Sequence, residues 1–558
     1  FLGSGPLSEE RLREVLRLLE GDPAPWDLNA LGGEVYLIRD LYRAASFLDA
    51  AVQPSMTVDP DTVGHGYLAH IEYTIQPGSN FTVGTITLTG NERTEDRLLT
   101  RELLFAPGDP LYWGQVENSR RQLLGTTLFR DANIRPVNVD TLAGVADLAV
   151  SVVERKPGFY ELGVGVGTRD RIRVLGAWGH NNLWGTGRRV RVRLQGSWNV
   201  EDVVGNTIYF DQGQLNYRGG VTFVNPRLRG SRYSLEANAY VERDTRGESG
   251  LNMNRHGLRL GTGWQSGPRV TSTASVGLKI TDPEVHPYAP DSLKARFDEL
   301  GAQITQTRSL SYAIFVDRRN DIFNPTSGTY SIGTLQLAGG PMGGDHSFFK
   351  WSGALHGYRP FLLGGTLAGR VKLGGTRPYG KSLDAGPEGV PYDDRFFAGG
   401  ASTVRGYRHN SLGPQVTDQD ELDYLNYTSD VLLPDNPARG GNYLMLTNIE
   451  WRLPLPVLRS WGFSTLLFFE GGNVWAELKE LRIRGFRITS NPGDPQDPAS
   501  TKAWDYRWSW GTGIRLDTPF GPVRVDVGFP LKRVRYVSET KDVTDPSPYW
   551  HFSLGYPF

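Results

Sequence analysis

Residues 187–198 read GRRVRVRLQGSW. Val190, Val192, Leu194 and Trp198 share one side of an extended chain, and Arg189, Arg191, Arg193 and Gln195 share the other, because successive strand side chains point to opposite faces. The alternation returns in RYSLEANAYVERD, residues 232–244, where Tyr233, Leu235, Ala237, Ala239 and Val241 oppose Arg232, Ser234, Glu236, Asn238 and Glu242. A soluble sheet sandwich gives the same period with its apolar face buried. Extent separates the two. From Gly158 onward helical periodicity disappears, and strand-like segments continue for about 400 residues, too many for one sandwich. Aromatic residues gather near the ends of several strands, as the interfacial girdles of a membrane barrel require. At about 25 residues per strand with its turn or loop, such a length predicts about 16 antiparallel strands, closed so that no unpaired edge meets lipid.

Composition agrees. The 558 residues hold 60 Lys plus Arg against 61 Asp plus Glu, so no strong field argues for nucleic acid as a partner. Cysteine is absent, which fits an oxidising compartment. Glycine is abundant at 68 residues, and there are 24 Tyr, 24 Phe and 14 Trp. No run approaches the roughly 18 apolar residues of a membrane helix. That excludes a helical membrane protein but not a barrel, whose lumen residues keep hydropathy low. The first residues, FLGSGPLSEE, lack the basic start, apolar core and cleavage site of a signal peptide, which fits either a mature chain or one whose natural start has been removed.

Residues 1–156 follow another period. Leu12, Val15, Leu16 and Leu19 fall at i, i+3, i+4 and i+7, predicting an amphipathic helix with Ser8 as cap, Glu9 and Glu10 in its first turn and Gly21 at its end. A second helical stretch runs from about Asp27 to Leu48, followed by strand-like runs at 51–58 and 67–75 and the Pro77-Gly78 turn. Then Phe81–Thr89 reads as a strand, Thr94 as the cap of a helix reaching Leu104, Leu111–Leu124 as a helix, and 132–139 and 146–154 as strands. Residues 78–156 thus form a βααββ unit, and residues 1–77 the same unit without its opening strand, which points to truncation upstream.

The second unit contains ITLTGNERTEDRLLTRELLFAPGDPL, LLGTTLFRDANIRPV and LAVSVVERKPG. It resembles the POTRA domain, which implies a periplasmic polypeptide-binding module. The chain ends YWHFSLGYPF, with Phe552, Leu554, Tyr556 and Phe558 alternating outward from His551, Ser553 and Gly555. That ending resembles the final strand of outer-membrane barrels.

In the barrel region one irregular segment stands out, RFFAGGASTVRGYRHNSLGP at 395–414. It is similar to the Val-Arg-Gly-Phe/Tyr loop of the BamA/TamA superfamily of outer-membrane assembly factors and secretion pores. The resemblance implies that the loop folds into the lumen and that Arg405, followed by Gly406 and Tyr407, meets an acid on the inner wall. Glu470 in LLFFEGGNVW is the candidate acid, with Phe468 and Gly472 on the same strand face. The family commonly has aspartate there, so glutamate is a departure. DRRNDIFNPTSG (317–328), with Asp317, Arg318, Pro325 and Gly328, resembles a family hairpin; a capped turn would read alike. GTGIRLDTPFGPVRVDVG (511–528) resembles its penultimate-strand segment, and GVGVGTRD (163–170) with NNLWGTG (181–187) its first hairpin.

Gly163, Gly165 and Gly167 weaken the first barrel strand, because glycine loses packing and entropy in a strand interior. Facing Phe552, Leu554, Tyr556 and Phe558 of the last strand, they mark the expected lateral seam. GTRPYGKS at 375–382 fits a phosphate-loop pattern, but the following LDAGPEGVPYDD cannot supply the helix that motif needs. No catalytic or cysteine-based metal spacing supports an enzyme, and no cofactor is expected.

The expected organisation is therefore α+β POTRA modules (1–77 and 78–156) followed by an all-β barrel (157–558) with an in-folded loop near 395–414. The resemblance implies an outer-membrane insertase. Its partners would be unfolded barrel clients received by periplasmic modules, the lipid bilayer, and accessory lipoproteins or other periplasmic subunits. The alternative is a two-partner secretion translocator that passes its client through the pore. A plain porin or a barrel-borne enzyme is the third reading.

Overall fold

A computed structural model describes the chain except residues 26, 61–66, 168–171, 200–201, 205–206, 210–213, 247–250, 286–303, 323, 415–438, 456–461, 489–501, 517, 519–522, 534, 537–542, 545–546 and 555–558. Two compact units result: Phe1–Gly158 with His180–Arg189, and Phe159–Gly179 with Val190–Phe558.

The first unit carries α1 (Glu9–Val15), α2 (Gly32–Ala44), β1 (Ala51–Pro60) and β2 (Tyr67–Gln76), then β3 (Thr82–Thr89), α3 (Asp96–Glu102), α4 (Trp113–Gly125), β4 (Phe129–Asp140) and β5 (Val145–Glu154). The second group is a βααββ fold whose sheet runs β3-β5-β4, with β3 parallel to β5 and β4 antiparallel to it. Phe81, Leu99, Leu123, Phe129, Leu148 and Val150 close its core with no exposed surface. In the first group β1 pairs antiparallel with β2, and Leu2 makes a parallel bridge to Thr74. That bridge occupies the place that β3 holds in the second group.

Two helix ends differ from the sequence expectation. α1 stops at Val15, well short of Gly21, because the Arg17 N–H is donated to the Glu34 carboxylate at 2.9 Å rather than to the helix ladder. The N-cap of α3 is Glu95, not Thr94. The Thr94 hydroxyl instead accepts from the Asn182 side-chain amide at 2.9 Å, and the Gly185 carbonyl accepts the Glu95 N–H at 3.1 Å.

The barrel strands are β6 (Gly158–Gly167), β7 (Ile172–Leu183) and β8 (Arg188–Asn199), then, after the short pair β9 (Asp202–Val204) and β10 (Thr207–Tyr209), β11 (Gln214–Asn225), β12 (Ser234–Arg246), β13 (Leu251–Gly267), β14 (Val270–Val285), β15 (Thr305–Asp317), β16 (Gly328–Ala338), β17 (Phe348–Phe361) and β18 (Gly365–Pro378). They continue as β19 (Tyr443–Pro454), β20 (Phe463–Trp475), β21 (Arg507–Leu516), β22 (Val523–Pro530) and, after the short pair β23 (Arg535–Tyr536) and β24 (Val543–Thr544), β25 (Tyr549–Leu554). Sixteen of them close in the order β6-β7-β8-β11 through β22-β25, with β25 returning to β6.

Alternation sorts the side chains of this barrel. Leu258 and Leu260 of β13, Leu310, Tyr312 and Ile314 of β15, Leu335 and Leu337 of β16, Ile449 of β19, Trp510 and Ile514 of β21, and Trp550 and Phe552 of β25 are exposed. Their neighbours in sequence, such as Asn448, Ser509 and His551, are buried inside. An apolar belt on the outside of a closed sheet has lipid as its natural solvent. The ladders between neighbouring strands are long. β13 and β14 stay in register from Leu251↔Val285 to Gly267↔Val270, and β22 and β25 from Val523↔Leu554 to Gly528↔Tyr549. Among the described residues β25 meets β6 only at Ser553↔Gly167 and Leu554↔Val166.

Candidate functional site

Between β18 and β19 the chain folds back among the inward side chains. The segment begins as a narrow hairpin: Phe396 and Gly441 exchange backbone hydrogen bonds of 2.8 and 2.9 Å, and the Leu412 N–H donates to the Ala398 carbonyl at 3.0 Å. Gly399 and Gly400 turn it with φ of +108° and +92°, a region that L side chains avoid. The Thr403 hydroxyl donates to the Gly399 carbonyl at 2.7 Å and fixes the bend. Phe396, Ala398, Val404, Tyr407 and Leu412 then pack on Leu444, Leu446 and Val474 of the β19–β20 wall.

Arg405 lies at the end of that bend, 2% exposed, against a 1% exposed Glu470. Its Nε donates to Glu470 Oε1 at 3.1 Å and its Nη2 to Oε2 at 3.0 Å, a two-pronged fork. The Arg405 backbone N–H also donates to Glu470 Oε1. Nη2 reaches Glu450 Oε1 of β19 at 2.8 Å, and Nη1 reaches Asp526 Oδ2 of β22 at 3.4 Å. The guanidinium carbon stands 3.7 Å from the centre of the Phe468 ring, so the cation is covered by an aromatic face as well. Burial works against the charge, and the Glu470 and Glu450 carboxylates outweigh it, raising the Arg405 pKa above the ordinary arginine value.

The wall supplies further charge. Arg452 donates to Glu450 at 3.1 Å and Arg515 stands 3.6 Å from it, while Arg524 pairs with Asp526. The Asn448 amide donates to Glu470 Oε2 at 2.7 Å and to the Thr403 carbonyl at 3.1 Å, joining wall and loop. Arg370 of β18 adds a 3.0 Å bond to the Ser402 carbonyl.

Backbone approach explains the glycines. A Cβ on Gly528 would lie 2.5 Å from the Gly406 nitrogen, and one on Gly472 would lie 2.8 Å from a Val404 methyl. The Gly406 N–H donates to His551 Nε2 of β25 at 3.2 Å, and the Tyr407 hydroxyl lies 2.9 Å from both the Trp508 and Lys532 carbonyls. The structure thus brings together Arg405, Gly406, Tyr407, Phe468, Glu470 and Gly472. It adds Asn448, Glu450, Asp526 and His551, which the sequence reading did not single out.

The other candidates lie elsewhere. Asp317 pairs with Arg319, at 2.7 Å to Nη2, rather than with its neighbour Arg318. Gly328 has φ +100°, and a Cβ there would meet the Arg318 carbonyl at 2.1 Å; Pro325 is buried in the same hairpin. Gly163, Gly165 and Gly167 lie on β6, and Phe552 is exposed on β25. Leu554 is placed by its backbone pairing with Val166. Tyr556 and Phe558 fall outside the described residues. In the stretch resembling a phosphate loop, Gly380–Ser382 is a single 3-10 turn.

Comparison with known proteins places this geometry. The Omp85 superfamily domain matches residues 182–558. The chain belongs to the Omp85 superfamily. A POTRA match, described as a surface antigen variable number repeat, covers residues 81–155 of this superfamily member. The chain is 22% identical to an outer membrane protein assembly factor BamA of Nitratidesulfovibrio vulgaris over 98% of its length and 60% of that protein. It is likewise 22% identical to a BamA of Neisseria meningitidis serogroup B, over 95% of its length and 64% of that protein. It thus spans less than two thirds of the curated relatives it matches. The crystal structure of BamA from Haemophilus ducreyi lacking POTRA domains 1–3 shares the fold, with a TM-score of 0.72 and 17% identity over 97% of this chain and 96% of that one.

Proposed function

We infer that this Omp85 protein is an outer-membrane assembly factor that receives unfolded β-barrel clients and inserts them into the bilayer. Residues 1–77 and 78–156 would be the periplasmic receiving modules and residues 157–558 the inserting barrel. Clients would add a strand to a module sheet edge, where β3 and β4 are the outer strands of the second module. Accessory periplasmic subunits would dock on the same modules.

The observation that carries the reading is the closure. Among the described residues β25 meets β6 at Ser553↔Gly167 and Leu554↔Val166, and the glycines at 163, 165 and 167 weaken that first strand. A strand weakened by glycine lowers the cost of parting the seam, and a client strand would offer the freed N–H and C=O groups new partners within lipid. The driving force is then the client's own folding, with no nucleotide required. The BamA relatives, named as outer membrane protein assembly factors, support this reading.

The test exploits the absence of cysteine. Val166→Cys with Leu554→Cys places a pair at one closing position whose backbone pairing is described. Oxidation is expected to arrest insertion of barrel clients into vesicles holding the protein, and reductant to restore it. Undiminished insertion by the oxidised protein removes the seam from the mechanism. Depletion in cells is expected to stall barrel proteins broadly; a defect confined to one secreted protein would favour a two-partner translocator instead.

A further inference from the structure

The in-folded segment carries a second set of charges that the Arg405 cluster does not use. Asp393 and Asp394 precede the hairpin, with side chains only 7% and 10% exposed. Lys279 of β14 lies 2.7 Å from Asp393 Oδ2 and 2.8 Å from Asp394 Oδ2. Arg255 of β13 reaches Asp393 Oδ1 at 2.5 Å, and is itself steadied by Glu242 and Asp244 of β12, each at 3.3 Å. Lys350 of β17 donates to the Asp394 carbonyl at 2.7 Å.

Polarity is reversed between the two ends. At Asp393 and Asp394 the segment supplies anions and the wall cations, while at Arg405 the segment supplies the cation and Glu450, Glu470 and Asp526 the anions. In the closed strand order of sixteen, β19, β20 and β22 stand five, six and eight positions from β14, so the two anchors sit on different walls across the lumen. Asp393 and Arg405 are twelve positions apart, with a reach of at most about 40 Å when extended.

We propose that residues 393–405 are a strut across the lumen, its acidic end seated on β13–β14 and its basic end on β19–β22, fixing the separation of the two walls. The reversed polarity gives the strut one direction. Flipped end for end, it would set Arg405 against Arg255 and Lys279, and Asp393 against Glu470, and like charges on each wall would reject it. The inference rests on the barrel geometry and is independent of what the barrel does.

The experiment measures wall separation in the full chain reconstituted in phosphatidylcholine vesicles. Spin labels go on Val276→Cys of β14 and Ile514→Cys of β21, both exposed on the outer face, and the chain has no other cysteine. Asp393→Asn with Asp394→Asn is expected to broaden the distance distribution, as Arg405→Ala does. Combining them is expected to add little, because a strut freed at one end is already slack. Tryptic cleavage after Arg408 is expected to rise about tenfold in the Asp393→Asn, Asp394→Asn protein. Lys279→Asp should reproduce the loss, and Lys279→Asp with Asp394→Lys should restore the narrow distribution. An unchanged distribution in the Asp393→Asn, Asp394→Asn protein, or additive broadening in the combined variant, overturns the strut. Neither readout involves a client. Normal insertion with broadened distances would leave the strut standing and count against a role for it in assembly.

Discussion

Arg405→Ala tests the loop latch directly. The substitution removes the fork to Glu470, the 2.8 Å bond to Glu450, the contact with Asp526 and the cation over Phe468. The three carboxylates are not stranded equally. Glu450 keeps Arg452 and Arg515, and Asp526 keeps Arg524. Glu470 keeps only the Asn448 amide and the backbone N–H of position 405, among the described bonds. Breaking a buried pair from one side typically costs about 3–5 kcal/mol, and the surviving wall arginines put this site at the low end. About 3 kcal/mol corresponds to roughly two powers of ten in the docked population. Where opening is fast, proteolysis follows the population of the open form. Trypsin should therefore cut after Arg395 and Arg408 about a hundredfold faster in the variant, in vesicles under native conditions. Glu470→Gln should cost less, because Arg405 retains Glu450 and Asp526. The double variant should cost less than the sum, because removing the cation spares the carboxylate its exposure as an unpaired buried charge. Cleavage within threefold of wild type in Arg405→Ala would refute the reasoning.

Gly528→Ala is expected to undock the same loop without altering a charge, since its Cβ would meet the Gly406 nitrogen and Cα at 2.5 and 2.6 Å, and backbone cannot rotate away. Gly353→Ala, whose nearest neighbour would be 3.9 Å off, is the control and should cut at the wild-type rate. Leu148→Ala, in the closed core of the second module, should lower that module's stability by about 2–5 kcal/mol. Hydrogen exchange in β3 and β5 reads that loss, and the heat-resistant gel mobility of the barrel should stay unchanged.

Parity was legible and register was not. The alternation of GRRVRVRLQGSW and of LLFFEGGNVW states which residues share a face, so Phe468, Glu470 and Gly472 could be placed together on the inner wall before any coordinates. Which inward residues stand at the same height depends on strand pairing, and no local pattern encodes it. Phe468 lies opposite Glu450, Asn448 opposite Glu470 and Asp526 opposite Gly513. Those pairings bring Glu450 and Asp526 to Arg405 from positions 45 and 121 residues away. Their parity could be read in NIEWRLP and VRVDVG, but nothing there marked them as partners of the loop. The helix cap failed for a similar reason. Thr94 is a preferred N-cap residue followed by two acids, and Asn182, 88 residues on, takes its hydroxyl instead.

The choice of charge over apolar contact at the loop tip has its own logic. Val404 and Leu412 already pack against Leu446 and Val474, and apolar contact of that kind is non-directional and tolerates a slip of the chain. A slip of one residue at the tip would carry Val404 or Gly406 to the place of the guanidinium and leave Glu470 facing a group that cannot donate a fork. The desolvation of Arg405 and Glu470 offsets much of their attraction, so the correct register gains little net stability from them. Every wrong register loses heavily, because it keeps the buried carboxylate and forfeits its partner. The cluster thus adds selectivity for one docked arrangement to a loop whose adhesion comes mainly from its apolar face. A segment of that kind can leave the wall as a unit and return to the same seat.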